Sequence, residues 1–301
     1  MSFPAPDRSD RADPYGLRPV RPERSLRQKL GNWWCGLGPR KHLILFLLTI
    51  LTTFLVGGPV YSATLMTILL AHELGHYLMS RRYGIPATLP YFLPMPLPPF
   101  GTLGAVIKMR GRMTNRRALL DIAVAGPLAG FFFTVPAIII GLRYSTVVPF
   151  SEPLPSSLRL GEPILFQALS RLMLGNVPES HEIFLHPVAY AGWIGLYVMA
   201  LNLLPIGQLD GGHVLYALFG PKSRAVSLGI LALFGLVAGI FFWPWFILIG
   251  LIIVFRIYKH PPPLEDAKPL NPGRRLIGIL ILLLFLISFT PVPFPDVLEY
   301  L

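Results

Sequence analysis

Leu70-Ala71-His72-Glu73-Leu74-Gly75-His76-Tyr77 is the stretch on which the rest of this 301-residue chain turns. Two histidines stand four residues apart, with a glutamate directly after the first. On a helix, positions i and i+4 share a face, so His72 and His76 can both reach one Zn2+ ion. Glu73 projects about 100° away from His72 and can hold a water bound to that metal. The flanks, Ala63 to Leu70 and Tyr77 to Met79, carry no charge. An ionisable cluster within an apolar helix is costly in lipid and marks a functional site by default. A five-residue pattern also arises by chance, so the remainder of the chain has to supply a third ligand.

Composition sets the class. The chain is 53% hydrophobic and only 14% charged, which predicts an all-α polytopic membrane protein. One cysteine, Cys35, excludes an intramolecular disulfide. The opening of about 40 polar, Pro- and Arg-containing residues does not have the form of a cleavable signal peptide. A net charge of +11 invites a nucleic-acid reading, which the distribution of that charge argues against.

Outward from the histidine pair, the pattern predicts about seven transmembrane helices. Residues 1–41 form a disordered basic tail. The first span covers roughly 42–57 and ends at Gly57-Gly58-Pro59. The second covers roughly 60–80, contains the pair and ends at Arg81-Arg82, about 7–8 Å beyond His76 at 1.5 Å per residue. Residues 83–117 cannot form a span, because six prolines fall between Pro86 and Pro99. Gly101 to Met109 reads as a short strand, and the whole segment as a Pro-rich re-entrant or interfacial loop over the metal. Its strand edge could take an unfolded substrate segment by strand addition; a plain interfacial loop is the alternative. A third span, roughly 118–141, contains Gly126-Pro127, with Asp121 facing Arg117 one turn back. Residues 142–186 form an outer loop in which His181 and His186 read as surface histidines. A fourth span, roughly 187–206, runs into Asn202-Leu203-Leu204-Pro205-Ile206-Gly207-Gln208-Leu209-Asp210-Gly211-Gly212-His213, where a concentration of polar groups needs partners. Residues 225–255 read as a hairpin of two spans with Trp243 and Trp245 in the interfacial belt. After a Pro-rich charged linker over 259–273, a last span covers roughly 274–291. The expected domains are the tail 1–41, a catalytic membrane core 42–220 and C-terminal helices 221–301.

With the N-terminus inside, the segments 1–41, 81–117, 211–224 and 256–275 hold 23 of the 26 Lys/Arg. That is a positive-inside pattern. It accounts for the basic balance without nucleic acid, and puts the inner ends of spans two and four at similar depth near the cytoplasmic face.

His72-Glu73-Leu74-Gly75-His76 within a membrane helix, followed about 130 residues later by Leu209-Asp210-Gly211 after Asn202 and Pro205, resembles the site-2 protease family of intramembrane zinc metalloproteases. A Gly-Pro span lies between the two motifs, as in the family, and the resemblance covers roughly residues 60–220. It implies His72, His76 and Asp210 as ligands of one Zn2+, Glu73 as the catalytic acid–base, and Asn202 as a polar group near the reacting carbonyl. One departure is visible: Gly207 stands where the family often has a second proline. No inserted PDZ- or CBS-like module is evident, as in compact bacterial and plastid members. The resemblance implies a multi-pass protein of a bacterial plasma membrane or plastid membrane, whose partners are the lipid bilayer and a membrane-protein substrate with a transmembrane segment. His213 remains open between a group holding Asp210, a substitute ligand and a helix-start residue. A zinc-binding chaperone or scaffold without proteolysis is the competing reading; it leaves Glu73 unexplained.

Overall fold

The computed structural model describes residues 38–109, 111–149, 159–178, 180–266 and 269–296. The chain divides into Met1–Lys41 and His42–Leu301. The expected tail lies outside the described residues up to residue 37, and the architecture below is that of the second unit.

Apolar runs without charge make long helices here. α1 (Arg40–Arg82) covers both of the first two expected spans in one 43-residue stretch, bent at Gly58 with φ 77° and ψ −177°. That left-handed conformation suits a residue without Cβ, and Pro59 follows at the start of the second arm, where a missing N–H costs nothing. α2 (Arg116–Arg143) starts at Asn115, whose side chain accepts from the Ala118 amide. α4 is Pro187–Asn202, capped by His186, which is therefore a helix cap and not a free surface histidine. α5 (Asp210–Phe219), a 3-10 turn (Gly220–Lys222) and α6 (Ser223–Phe241) follow almost without a break. The 211–224 segment is therefore helical, and the boundary expected at 220/221 falls within that turn. α7 (Trp245–Val254) returns after α6, and α8 (Pro272–Ser288) starts at the cap Asn271.

Among the described residues, three stretches are long and apolar enough to cross a membrane: Arg40–Arg82, Arg116–Arg143 and Asp210–Phe241. α4, α7 and α8 have 16, 10 and 17 residues, short of the ~20 of a full span. The exposed faces of α7 and α8 are nonetheless apolar, as at Ile247 and Leu251 of α7 and Leu276, Ile279, Leu283 and Leu286 of α8, while α4 is an inner helix. Inside, small residues let helices approach closely. A Cβ on Gly141 would strike Ala189, and one on Gly192 would strike Ile138, so α2 and α4 pack nearly backbone to backbone.

The Pro-rich segment forms an antiparallel hairpin of β1 (Tyr91–Pro94) and β2 (Thr102–Val106), with Phe92 opposite Ala105. β2 coincides with the expected strand, while β1 lies inside the proline run. The connection between them enters the helical core. Tyr61 Oη donates to Phe100 O at 2.8 Å, Tyr190 Oη donates to Pro99 O at 3.0 Å, and the Phe100 ring stacks on Tyr197. These bonds satisfy irregular backbone that the surrounding helices keep from solvent.

Two other expectations change. The 142–186 loop carries α3 (Ile164–Leu174) and a ribbon of β3 (Thr146–Pro149) with β4 (His181–Phe184). Trp243 is exposed at the α6–α7 turn, but Trp245 is buried, stacks on Phe289 and donates its indole N–H to Pro291 O at 2.7 Å. It belongs to the core and not to an interfacial belt.

Candidate metal centre

His72 and His76 lie one turn apart on the second arm of α1, both buried. α2 shapes their surroundings. Gly75 meets the Ala125–Gly126 backbone, and a Cβ on Gly126 would sit on the His76 ring, so that glycine is the space the imidazole fills. His76 Nδ1 lies 2.8 Å from Ile122 O. A carbonyl only accepts, so Nδ1 carries the proton and Nε2 keeps a free lone pair.

The loop after α4 brings the third group. Pro205 ends the helical run, Gly207 takes φ 52°, and Asp210 opens α5. Gly211 and Gly212 pack too tightly against the backbone of Leu203, Ile206 and Gly207 for any side chain. Asp210 Oδ2 ends 3.1 Å from His76 Nε2 and 3.4 Å from His72 Nε2, and the two Nε2 atoms are 3.2 Å apart. The three donor atoms lie within 4.8 Å of one another.

Three lone-pair atoms converging in a buried space repel unless a cation lies among them. Two imidazoles and a carboxylate are a donor set that zinc takes, and three protein donors leave a position for water or substrate. His72 Nδ1 is buried without a hydrogen-bond partner among the described residues, so its proton can sit there and leave Nε2 for a metal. The residues present fit Zn2+.

Glu73 is buried beside this cluster, with His72, His76 and Asp210 as its titratable neighbours and the Ile107 backbone, just past β2, against its carboxyl. Asn202, the last residue of α4, has its side-chain amide 3.3 Å from His72 Nε2. His213 lies one turn into α5 and bonds through Nδ1 to His260 Nε2 at 2.7 Å. His260 also stacks on Tyr216 at 4.2 Å. The structure thus brings all six expected site residues into one region. It adds Ile122 and Gly126, which orient His76, and His260, which holds His213. A carbonyl acceptor has no residue-type signature, and His260 sits in a proline-rich linker with no periodic relation to the site.

Asp121 does not face Arg117. It takes a two-pronged contact from Arg274 of α8, with Nε at 2.9 Å and Nη2 at 2.8 Å, and the Tyr83 hydroxyl also donates to it. A guanidinium fork matches a carboxylate better than a neighbouring arginine one turn back can.

Residues 60–242 match the description Peptidase family M50. The chain is 33% identical to "Probable zinc metalloprotease EGY2, chloroplastic" of Oryza sativa subsp. indica over 82% of its own length and 46% of that protein. It is 31% identical to the EGY2 protein of Arabidopsis thaliana over 75% of this chain and 40% of that one, and 32% identical to "Probable zinc metalloprotease EGY1, chloroplastic" of the same plant over 75% and 41%. The chain thus spans less than half the length of these curated relatives. With its family description matched over more than half of the chain, and with both halves of the His72/His76/Asp210 cluster inside the matched range, the chain belongs to peptidase family M50, the site-2 protease family.

Proposed function

We propose that this chain is an intramembrane zinc endopeptidase that hydrolyses peptide bonds in or near transmembrane segments of membrane proteins. The observation that carries the reading is the convergence of His72 Nε2, His76 Nε2 and Asp210 Oδ2 beside a buried glutamate. Metal storage or transport has no need of Glu73. The relatives' names, probable zinc metalloproteases, agree with it.

His72, His76 and Asp210 would hold the ion. Bound zinc supplies Lewis acidity, lowering the pKa of water towards 7 and polarising a carbonyl. Glu73 takes the proton of the attacking water and returns it to the leaving amine. The Asn202 amide donates to the carbonyl oxygen as charge develops there. Ile122 O keeps the His76 ring in one tautomer throughout. A substrate helix hides its carbonyls in its own hydrogen bonds, so the target unwinds before it is cut. An unwound segment can pair with the β1–β2 hairpin, whose far end lies against Glu73.

The membrane reading has seven spans, near 42–57, 60–80, 118–141 and 187–206, two within 225–255, and 274–291, with the N-terminus and the catalytic end cytoplasmic. Charge asymmetry supports that orientation. α7, with 10 residues, reaches only ~15 Å, so the α6–α7 hairpin returns part of the way through the bilayer.

The test is cleavage of model transmembrane substrates in liposomes. Helices with Gly, Pro or Asn near the cut are expected to be hydrolysed and Leu-rich ones spared, with activity lost on chelation. Equal cleavage of both classes, or activity that survives chelation, contradicts the reading.

A further inference from the structure

The Asp210 loop has a second concavity beside it, away from the catalytic chemistry and with a different lining. Its volume is about 230 Å³, and its walls include Gly207, Gly212, Tyr216, Arg224, Tyr258 and Lys259. Arg224 comes from the first turn of α6 and Lys259 from the connection after α7. Among the described residues, no acidic residue lines the cavity and Arg224 makes no hydrogen bond or ion pair. The Lys259 ammonium lies over the Tyr258 ring, 5.8 Å from its centre. The nearby acids are committed elsewhere, Asp210 to the histidines and Asp266 to Arg116 and Tyr216.

Arg224 and Lys259 are exposed residues on the lining of one small cavity, and two cations at one site favour an anion there. Ser223 and Tyr258 add hydroxyl-bearing side chains to the lining, while the Tyr216 hydroxyl is held by Asp266. Guanidinium, ammonium and hydroxyl groups together are what a tetrahedral phosphate takes. The volume lies below the ~300–1,000 Å³ of pockets for drug-sized ligands. It admits a phosphate with a short polar substituent and not a whole nucleotide. α6 leaves the cavity with Val226, Leu228 and Leu233 exposed, so an acyl chain attached to such a phosphate would have an apolar helix to lie along.

The same two segments hold the loop that carries Asp210. The Gly207 amide donates to Ser227 Oγ of α6 at 3.3 Å. The Gln208 amide donates to Ile257 O at 2.9 Å, and its side chain to Lys259 O at 2.8 Å. An anion between Arg224 and Lys259 would join α6 to the 257–260 segment and close a clamp around residues 207–210.

We propose that this cavity is a phosphate site, taking the phosphate of an anionic lipid headgroup or of a small soluble phosphate ester, and that its occupation tightens the loop bearing Asp210. The proposal stands on the cavity and does not depend on the protease reading, so its test reads binding. The full chain in phosphatidylcholine nanodiscs is compared with the same discs containing phosphatidylglycerol, and with glycerol 3-phosphate added in solution. Thermal unfolding and amide exchange of residues 203–213 are measured in each. Occupation is expected to raise Tm by about 2–4 °C and slow exchange in that peptide. The double variant Arg224→Gln/Lys259→Gln is expected to lose the response, while Arg224→Lys and the charge-matched pair Lys222→Gln/Arg275→Gln, outside the cavity, keep it. A response to phosphatidylglycerol alone assigns a lipid headgroup, and one to glycerol 3-phosphate assigns a soluble ester. No response to either probe overturns the site. So does a response that the cavity variant retains, or one that the charge-matched pair loses equally, because diffuse attraction to a basic face would explain it.

Discussion

At the residue scale, His76 is set by two groups on α2: Ile122 O fixes its tautomer and Gly126 supplies its space. Gly126→Ala is therefore expected to displace the ring and lower zinc affinity by about 10–100-fold, read by competition with a chromogenic chelator. Unchanged affinity would mean that the ring's position does not depend on that glycine. His260 carries a second prediction. Burial first, then neighbouring His213, pushes its imidazole down to about 3. Between pH ~6.5, where an unfolded histidine titrates, and about 3, the unfolded chain takes a proton that the folded chain refuses. The contribution to stability is thus complete above that window and declines as pH falls through it. His260→Gln is expected to flatten the fall of Tm with acidification; an unaltered profile would show that His260 is not buried neutral. The His72-Glu73-His76 pattern was legible in residue type and spacing, and Asp210 through the family resemblance. The groups orienting them were not, because they are a backbone oxygen, a missing Cβ and a residue brought in by tertiary packing.

At the element scale, α8 is tied to the catalytic helices through Asp121 and Arg274, a two-pronged pair whose side chains are 20% and 31% exposed. Solvent still screens it, so a double-mutant cycle with Asp121→Asn and Arg274→Gln is expected to give a coupling of about 1 kcal/mol in thermal denaturation. A coupling of zero would reduce the contact to a surface encounter. The i−4 rule pointed to Arg117 because it sees one helix at a time. Local signals did well where they act locally. Gly58-Pro59 marks the bend of α1. They failed at β1, where prolines at an edge strand are tolerated without announcing one, and after Leu209, where Gly211 and Gly212 read as breakers. Those glycines are needed for close backbone approach in a helix that continues.

At the scale of the whole molecule, the centre exists only because residues on α1 and at the head of α5, 134 positions apart in His76 and Asp210, meet across α2. The apolar runs made a membrane protein legible, and the polar cluster after Asn202 signalled a partner for the histidine pair. The number of crossings was less legible, because α4, α7 and α8 are too short to be counted on length. Orientation is testable directly. Gly111→Cys is expected to be labelled by an impermeant thiol reagent only from the cytoplasmic side and Ser180→Cys only from the other, in a background where Cys35 is replaced; labelling of both from one side contradicts the proposed topology. The most direct test of the central claim uses Glu73→Gln and wild type in matched preparations, measuring zinc per chain and cleavage of a transmembrane substrate in each. The expected result is undiminished zinc with cleavage reduced about 10²–10⁴-fold. A Gln variant that cuts as well as wild type would contradict the account.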